Sequence, residues 1–342
     1  MTSQSTDASI TTPDIFAINT RLGRGVNLGN ALEAPHHEGE MGMILKADYF
    51  SLIAQAGFDS VRIPIRWSAH AEKHPPYAID PRFMARVDWA LAQAKANHLA
   101  AVIDLHHYDE LLNDLESHRD RFLAMWRQIA ERYSDQPPTI LFELFNEPRG
   151  ALTAEHWNAL LGQALAEVRR SNPTRGVVVG PTPWNSIKAI DTLHLPSDQN
   201  LIVSFHFYQP FRFTHQGANW IEGSAAWLGT NWEGNRFEQF AITALFEHAL
   251  KWAQVQNRPL YMGEFGAFDR ANLAARARWT RFVAQTATEL GISFAYWEFG
   301  ADFGVYDRRR QRWNRELLGA LLGRKSPPSG RLAGLLRRLF PR

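Results

Sequence analysis

Eight short runs rich in β-branched and aromatic residues recur along this chain, and most are spaced widely enough to hold a helix between them. They are "GRGVNLGN" (23–30), "SVRIPI" (60–65), "AAVIDLHH" (100–107), "ILFELFNE" (140–147), "GVVVGP" (176–181), "LIVSFHFY" (201–208), "PLYMGEFG" (259–266) and "SFAYWEF" (293–299). Short apolar runs of this kind mark strands buried on both faces, as in a parallel sheet. Amphipathic stretches lie at 80–97, 118–134, 153–171, 236–256 and 270–290, the third with Thr153 placed as an N-cap. About eight strands, each followed by a helix and with no break, predict an α/β fold, the (β/α)8 TIM barrel, for which ~250 residues is typical. A doubly wound sheet is the competitor, but glycines 23, 25 and 29 do not fit the dinucleotide fingerprint G-x-G-x-x-G.

One barrel domain is expected over residues 14–322 of the 342, with a polar lead-in at 1–13 and a basic tail at 323–342. The lead-in has neither a basic n-region nor an apolar h-region, so it reads as a disordered segment rather than a signal peptide. With 0 Cys, disulfides, thiolate nucleophiles and cysteine metal sites are excluded. Lys and Arg total 37 against 35 Asp and Glu, but six of the basic residues sit from Arg324 onward beside no acid, leaving 31 against 35 elsewhere. A nucleic-acid binder carries its basic excess on the folded body, so nucleic acid is not an expected partner. The 12 Trp are the more telling excess, because broad aromatic faces are what sugar rings stack on.

Polar groups gather at the ends of the strand runs: Asn30, His106, His107, Asn146, Glu147, His206, Tyr208, Glu264 and Trp297, with Arg62 earlier in its own run. In a barrel those C-terminal ends form one face, where active sites are built. Glu143 and Glu147 share a run, but four residues at ~3.3 Å each would separate their backbones by ~13 Å. A retaining glycosidase needs its two carboxyl groups about 5–5.5 Å apart, and an inverting one about 6.5–9.5 Å. Glu143 is therefore expected to be a buried structural group, paired with an inward arginine such as Arg62, while Glu147 needs a partner from another strand. Glu264, flanked by Gly263 and Gly266, is the first candidate and Glu298, beside Trp297, the second. Glu33, Asp104, Asp109 and Glu110 read as acids for binding or structure. His106 and His107, adjacent on a strand, should diverge, and no H-E-x-x-H, P-loop or G-x-S-x-G occurs. No metal and no organic cofactor is expected.

Taken in order, "VRIPIRW", "DLHHYDEL", "FNEP", "SFHFYQPFRFTHQGANW", "GEFG" and "FAYWEFGADFGVYD" resemble glycoside hydrolase family 5 over about residues 14–322. The chain is most similar to single-domain bacterial endo-β-1,4-glucanases, some of which also cleave mannan. The resemblance implies Glu147 as general acid/base and Glu264 as nucleophile, hydrolysing a β-1,4-linked polysaccharide with retention. It implies that Arg62 and Tyr208 hold Glu264 ionised, that Asn146 binds a 2-hydroxyl, and that His106 and His206 hydrogen-bond near the pair. Trp297 would lie under the sugar whose bond breaks. Asn30, Glu33 and His107 match substrate-binding positions, and Trp220 a cleft-wall aromatic. A β-mannanase or a hydrolase of mixed-linkage glucan or xyloglucan would share these motifs; an inactive sugar-binding protein is the remaining alternative. A monomer is expected, and the polymeric substrate points to an extracellular or periplasmic site of action. In the tail, Leu332, Leu335, Leu336 and Leu339 would share one helical face beside Arg337 and Arg338, a pattern suited to an anionic membrane surface. Docking on the barrel, or disorder, is the plainer expectation.

Overall fold

A computed structural model describes residues 14–323; the lead-in and the tail from residue 324 lie outside the described residues. The strands are β1 (Arg24–Asn27), β2 (Ser60–Ile63), β3 (Ala100–Asp104), β4 (Ile140–Glu143), β5 (Val177–Val179), β6 (Leu201–Phe207), β7 (Leu260–Phe265) and β8 (Ser293–Tyr296). They form a closed barrel in chain order, every pair parallel, with β8 returning to β1. The helices are α1 (Ile15–Leu22), α2 (Ala47–Ala56), α3 (Pro81–Ala96), α4 (Asp109–Asn113), α5 (Leu115–Arg132), α6 (Ala154–Arg169), α7 (Phe211–Thr214), α8 (Arg236–Gln256), α9 (Leu273–Glu289) and α10 (Arg315–Leu322). A small antiparallel pair, β9 (Tyr306–Asp307) and β10 (Arg312–Trp313), follows β8. No described helix is long and apolar enough to cross a membrane.

Helix starts follow local chemistry. Asp80 accepts from Arg82 N with Pro81 at the first helical position of α3, Thr153 accepts from His156 N at α6, and Asn235 closes a capping box with Glu238 at α8. The expectation of a helix after every strand fails once. β5 and β6 are joined by a 3-10 segment, Ile187–Thr192. Strand ends also fall short of the sequence runs: β3 stops at Asp104 and β4 at Glu143, because beyond those residues the ladder bonds give way to loops.

Within the strands side chains alternate, except at a break in β7. Val26, Val61, Ile63, Ala101, Ile103 and Phe142 face out against the helices. Ala100, Val102, Leu141, Val178, Ile202, Tyr261 and Ala295 fill the lower interior. The next inward positions upward are Asn27, Arg62, Asp104 and Glu143, all 0% exposed. The barrel core is thus apolar below and ionic above. Helix α1 closes the lower end: Ile15, Ile18 and Leu22 join the interior cluster, and Asn19 donates to Leu260 O at 3.0 Å. Leu22→Ala should cost about 2–5 kcal/mol, the range for emptying a leucine-sized volume in a packed core. A denaturant titration measures it, and a loss near zero would mean that α1 does not seal the barrel.

Candidate active site

Arg62 organises the upper layer. Its Nε donates to Glu143 Oε2 at 2.6 Å, Nη1 to Glu264 Oε1 at 2.8 Å and to Asn27 Oδ1 at 3.0 Å. Nη2 reaches Asn146 Oδ1 and Asp104 Oδ2, both at 2.8 Å. Glu143 is therefore the buried partner of Arg62 anticipated from its depth in the strand. One guanidinium serves three carboxylates, and burial alone would make each of them hard to ionise.

Glu264 reaches this layer through a break in register. Met262 and Phe265 both pack outward, which two-residue alternation cannot satisfy. The β7–β8 register shifts between them, and the β6–β7 register shifts at Phe205/His206. This bulge turns Glu264 inward. It passes through Gly263, where a Cβ would stand 2.8 Å from Ser204 Oγ and 3.0 Å from His206 Nε2. Glu147 lies beyond β4 in the loop, with a φ of 49°, a left-handed conformation that non-glycine residues rarely adopt. The ~13 Å estimate between Glu143 and Glu147 assumed a continuous strand; the chain instead bends after Glu143.

Glu147, His206 and Glu264 each offer one donor atom, and these atoms lie within 4.8 Å of one another. Among the described residues this is the one such group able to hold a metal ion. An ion there would occupy the space between the two carboxylates. Glu298 does not compete with Glu264, since both its oxygens accept from its own loop, Gly300 N at 2.9 Å and Ala301 N at 2.6 Å.

The two carboxyls differ in their donors. Burial pushes Glu147 up to about 7, opposed by Arg149 and Arg62. Its Oε1 lies 2.9 Å from His206 Nδ1, and Oε2 is left for a proton. Burial and the Glu147 charge also push Glu264 up, but His206, Arg62 and the Tyr208 hydroxyl, which donates at 2.8 Å, pull it back. The donors around Glu264 therefore favour its charged form more than those around Glu147 do.

Around the pair, a cleft of about 590 Å³ is lined by Asn30, Glu33, His106, His107, Asn146, Tyr208, Trp220 and Trp297. With Glu147, Glu264 and the adjoining Arg62 and His206, every residue to which the resemblance gives a role in catalysis or binding lies in or beside one site. His106 and His107 do not diverge. Because β3 ends at Asp104, both rings turn into the cleft, 4.6 Å apart. His106 Nδ1 is 2.7 Å from Asp104 Oδ2, and since a carboxylate only accepts, Nε2 is left bare. Burial keeps both rings neutral, His107 down to about 2. His106 stacks parallel to Trp297 at 5.7 Å, and Gly29 makes room for that indole: a Cβ there would stand 2.8 Å from it. Glu33 accepts from Asn30 N and Ala31 N, and burial pushes it up to about 8. Trp184, Arg149, His215, Asn219, Met41, Asp302 and Phe303 also line the cleft, and sequence reasoning missed them. The available signal for Trp184 was its place as the first aromatic residue after the fifth strand run.

A family model for cellulase, glycosyl hydrolase family 5, matches residues 26–303. The chain belongs to glycosyl hydrolase family 5. Within this family it is 48% identical to the endoglucanase Cel5A of Thermotoga maritima, with a TM-score of 0.89 over 90% of this chain and 100% of that one. A structure of the same relative in complex with mannotriose superposes with a TM-score of 0.88. Endoglucanase H of Acetivibrio thermocellus is 33% identical over 322 residues, 92% of this chain, which spans 34% of that relative's length. Endoglucanase B of Clostridium cellulovorans is 28% identical over 320 residues, 84% of this chain and 70% of its own.

Two measurements check this geometry. Arg62→Met leaves three buried carboxylates without their cation and should destabilise the fold by about 3–5 kcal/mol in denaturant titration; a loss below about 1 kcal/mol, typical of an exposed pair, would contradict the shared-cation arrangement. If catalysis needs Glu147 protonated and Glu264 ionised, kcat/KM should fall on the acid side as Glu264 gains a proton. It should fall on the basic side through pH about 7 as Glu147 loses its own. A pH–rate profile flat across that region would contradict the assignment of the proton.

Proposed function

We propose that this chain is a retaining endo-β-1,4-glucanase in which Glu147 is the acid/base and Glu264 the nucleophile. One observation carries the stereochemical part: carboxylate oxygens within 4.8 Å suit direct attack, whereas an inverting pair stands about 6.5–9.5 Å apart to admit water. In the first step the Glu147 proton passes to the glycosidic oxygen, the C1–O bond breaks, and a Glu264 oxygen bonds to C1. In the second, Glu147 takes a proton from water as its oxygen attacks C1, and the bond to Glu264 breaks. The sugar leaves with its original anomeric configuration.

The surrounding residues divide this work. Arg62 and Tyr208 hold Glu264 charged and aimed. Arg62 takes the Asn146 carbonyl oxygen, so the amide Nδ2 is free to donate to the sugar 2-hydroxyl, where contacts strengthening in the transition state count most. Trp297, backed by His106, is the platform under that sugar, and bare His106 Nε2 accepts from one of its hydroxyls. Asn30, Glu33 and His107 bind further sugar hydroxyls in the cleft, and Trp220 supplies an aromatic wall. The enzyme works as a monomer on β-1,4-linked chains, and a polymer of that size places its work outside the cytoplasm.

A β-mannanase activity on the same site is the second reading, favoured by the mannotriose complex of the Thermotoga relative. Glu147→Gln and Glu264→Gln should each lower hydrolysis of soluble β-1,4-glucan by at least ~10²-fold with the fold intact. Near wild-type turnover in either variant, or an inverted product by NMR, would overturn the assignment. Parallel assays on carboxymethyl cellulose, glucomannan and xyloglucan rank the substrates, and a rate on mannan above that on every glucan would replace glucanase with mannanase.

A further inference from the structure

Beside the proposed acid/base, the cleft rim carries a linked set of side chains to which the chemistry above gives no role. Arg149 stands two residues beyond Glu147, and its Nη1 donates to the Glu147 carbonyl oxygen at 3.0 Å. The same guanidinium lies over the Trp184 ring, 4.2 Å from its centroid. Its Nη2 is 4.0 Å from Asp109, whose other oxygen accepts from Arg66 at 2.8 Å. A single cation thus links the loop after β4 to the loop after β5 and to the start of α4, and through Asp109 to the loop after β2.

Two of the residues it touches are held in unfavourable backbone. Glu147 has a φ of 49° and Trp184 a φ of 63°, left-handed values that persist only where the surroundings enforce them. The Trp184 N–H donates to Pro148 O at 3.0 Å, so the two loops are stitched through main chain as well. Trp184 is 52% exposed and lines the cleft, a free aromatic face next to the carboxyl that delivers the proton. An acid protonates the leaving oxygen, so its immediate neighbours border the leaving sugar.

We propose that Arg149 is a positioning residue for the leaving-group half of the reaction, fixing the Glu147 carboxyl and the Trp184 face in one geometry. The inference rests on the acid/base reading of Glu147. A sugar stacked on Trp184 then presents its glycosidic oxygen where Glu147 can protonate it, and the cation, its edge in the cleft, offers donors to that sugar's hydroxyls. Charge adds a second consequence. The groups facing Glu147 are His206 from β6 and Tyr208 just beyond it, Glu264 from β7, Arg62 from β2, and Arg149, itself backed by Asp109. Burial pulls His206 toward its neutral form, and Arg62 is shared among three carboxylates. Arg149 is the stronger of the two cations that pull the Glu147 proton off.

The test compares Arg149→Met, which keeps length but neither charge nor donors, with Arg149→Lys, which keeps the charge, in the full chain. Each is assayed on cellopentaose and on dinitrophenyl β-cellobioside, whose leaving group needs no protonation and occupies no sugar site. Arg149→Met should lose on the order of 10-fold or more in kcat on cellopentaose, with little change on the aryl cellobioside. Its basic limb of kcat/KM should move up by about one pH unit, since removing a nearby cation lets Glu147 hold its proton longer. Arg149→Lys should keep the wild-type limb. Equal losses on both substrates with an unmoved limb, or no loss on either, would overturn the inference. A wild-type protein that releases nothing from either compound would instead bring down the glucanase reading itself. Melting temperatures of both variants separate a folding defect from a positioning one, and Arg149→Lys carries the substrate comparison if Arg149→Met does not fold.

Discussion

The upper half of the barrel depends on one cation. Arg62 is fully buried on β2, and its guanidinium is divided among Asp104, Glu143 and Glu264, with Asn27 and Asn146 filling its remaining donors. An arginine can do this because its fork presents several donors in one plane and it stays charged where a lysine would lose its proton. Every strand from β1 to β4 contributes a side chain to this layer or to its edge, and β7 contributes Glu264. The apolar interior beneath and the helix α1 below keep water away from it, which is what makes each of those hydrogen bonds strong.

The difference between the two central glutamates follows from that layer. Glu264 is buried and Glu147 partly so, and desolvation pushes both toward their protonated forms. Glu264 sits against Arg62 and Tyr208, whereas Glu147 sits above them on a loop with His206 as its one side-chain hydrogen-bond donor. Unequal hydrogen bonding within one desolvated pocket separates a group that gives up its proton from one that keeps it. His206, with Nδ1 2.9 Å from Glu147 and 3.6 Å from Glu264, couples the two titrations.

Much of this was legible before any coordinates. The amphipathic stretch at 80–97 became α3 almost to the residue, because Asp80 and Pro81 carry a start signal that acts within a few positions. Glu143 was separable from Glu147 by its depth in the strand, and its pairing with Arg62 follows from two charges facing into the same closed interior. Glu264 came ahead of Glu298 by position at a strand end. Other features were not legible. Alternation from Met262 would have sent Glu264 outward, and only the bulge at Gly263 corrects it. His106 and His107 were expected to diverge because nothing local marks the end of β3 at Asp104. Arg149 and Trp184 meet across two loops far apart in sequence.

By itself, then, the order of apolar runs and amphipathic stretches determined the barrel, and the polar residues at the run ends determined which face carries the chemistry. Both are consequences of periodicity and burial, which act over a few residues and are written in the chain. The tertiary structure alone decided where each strand stops, which way Glu264 points, and which donors surround each carboxyl. Those outcomes depend on ladder bonds and donors supplied by other strands. No stretch of sequence contains its own neighbours.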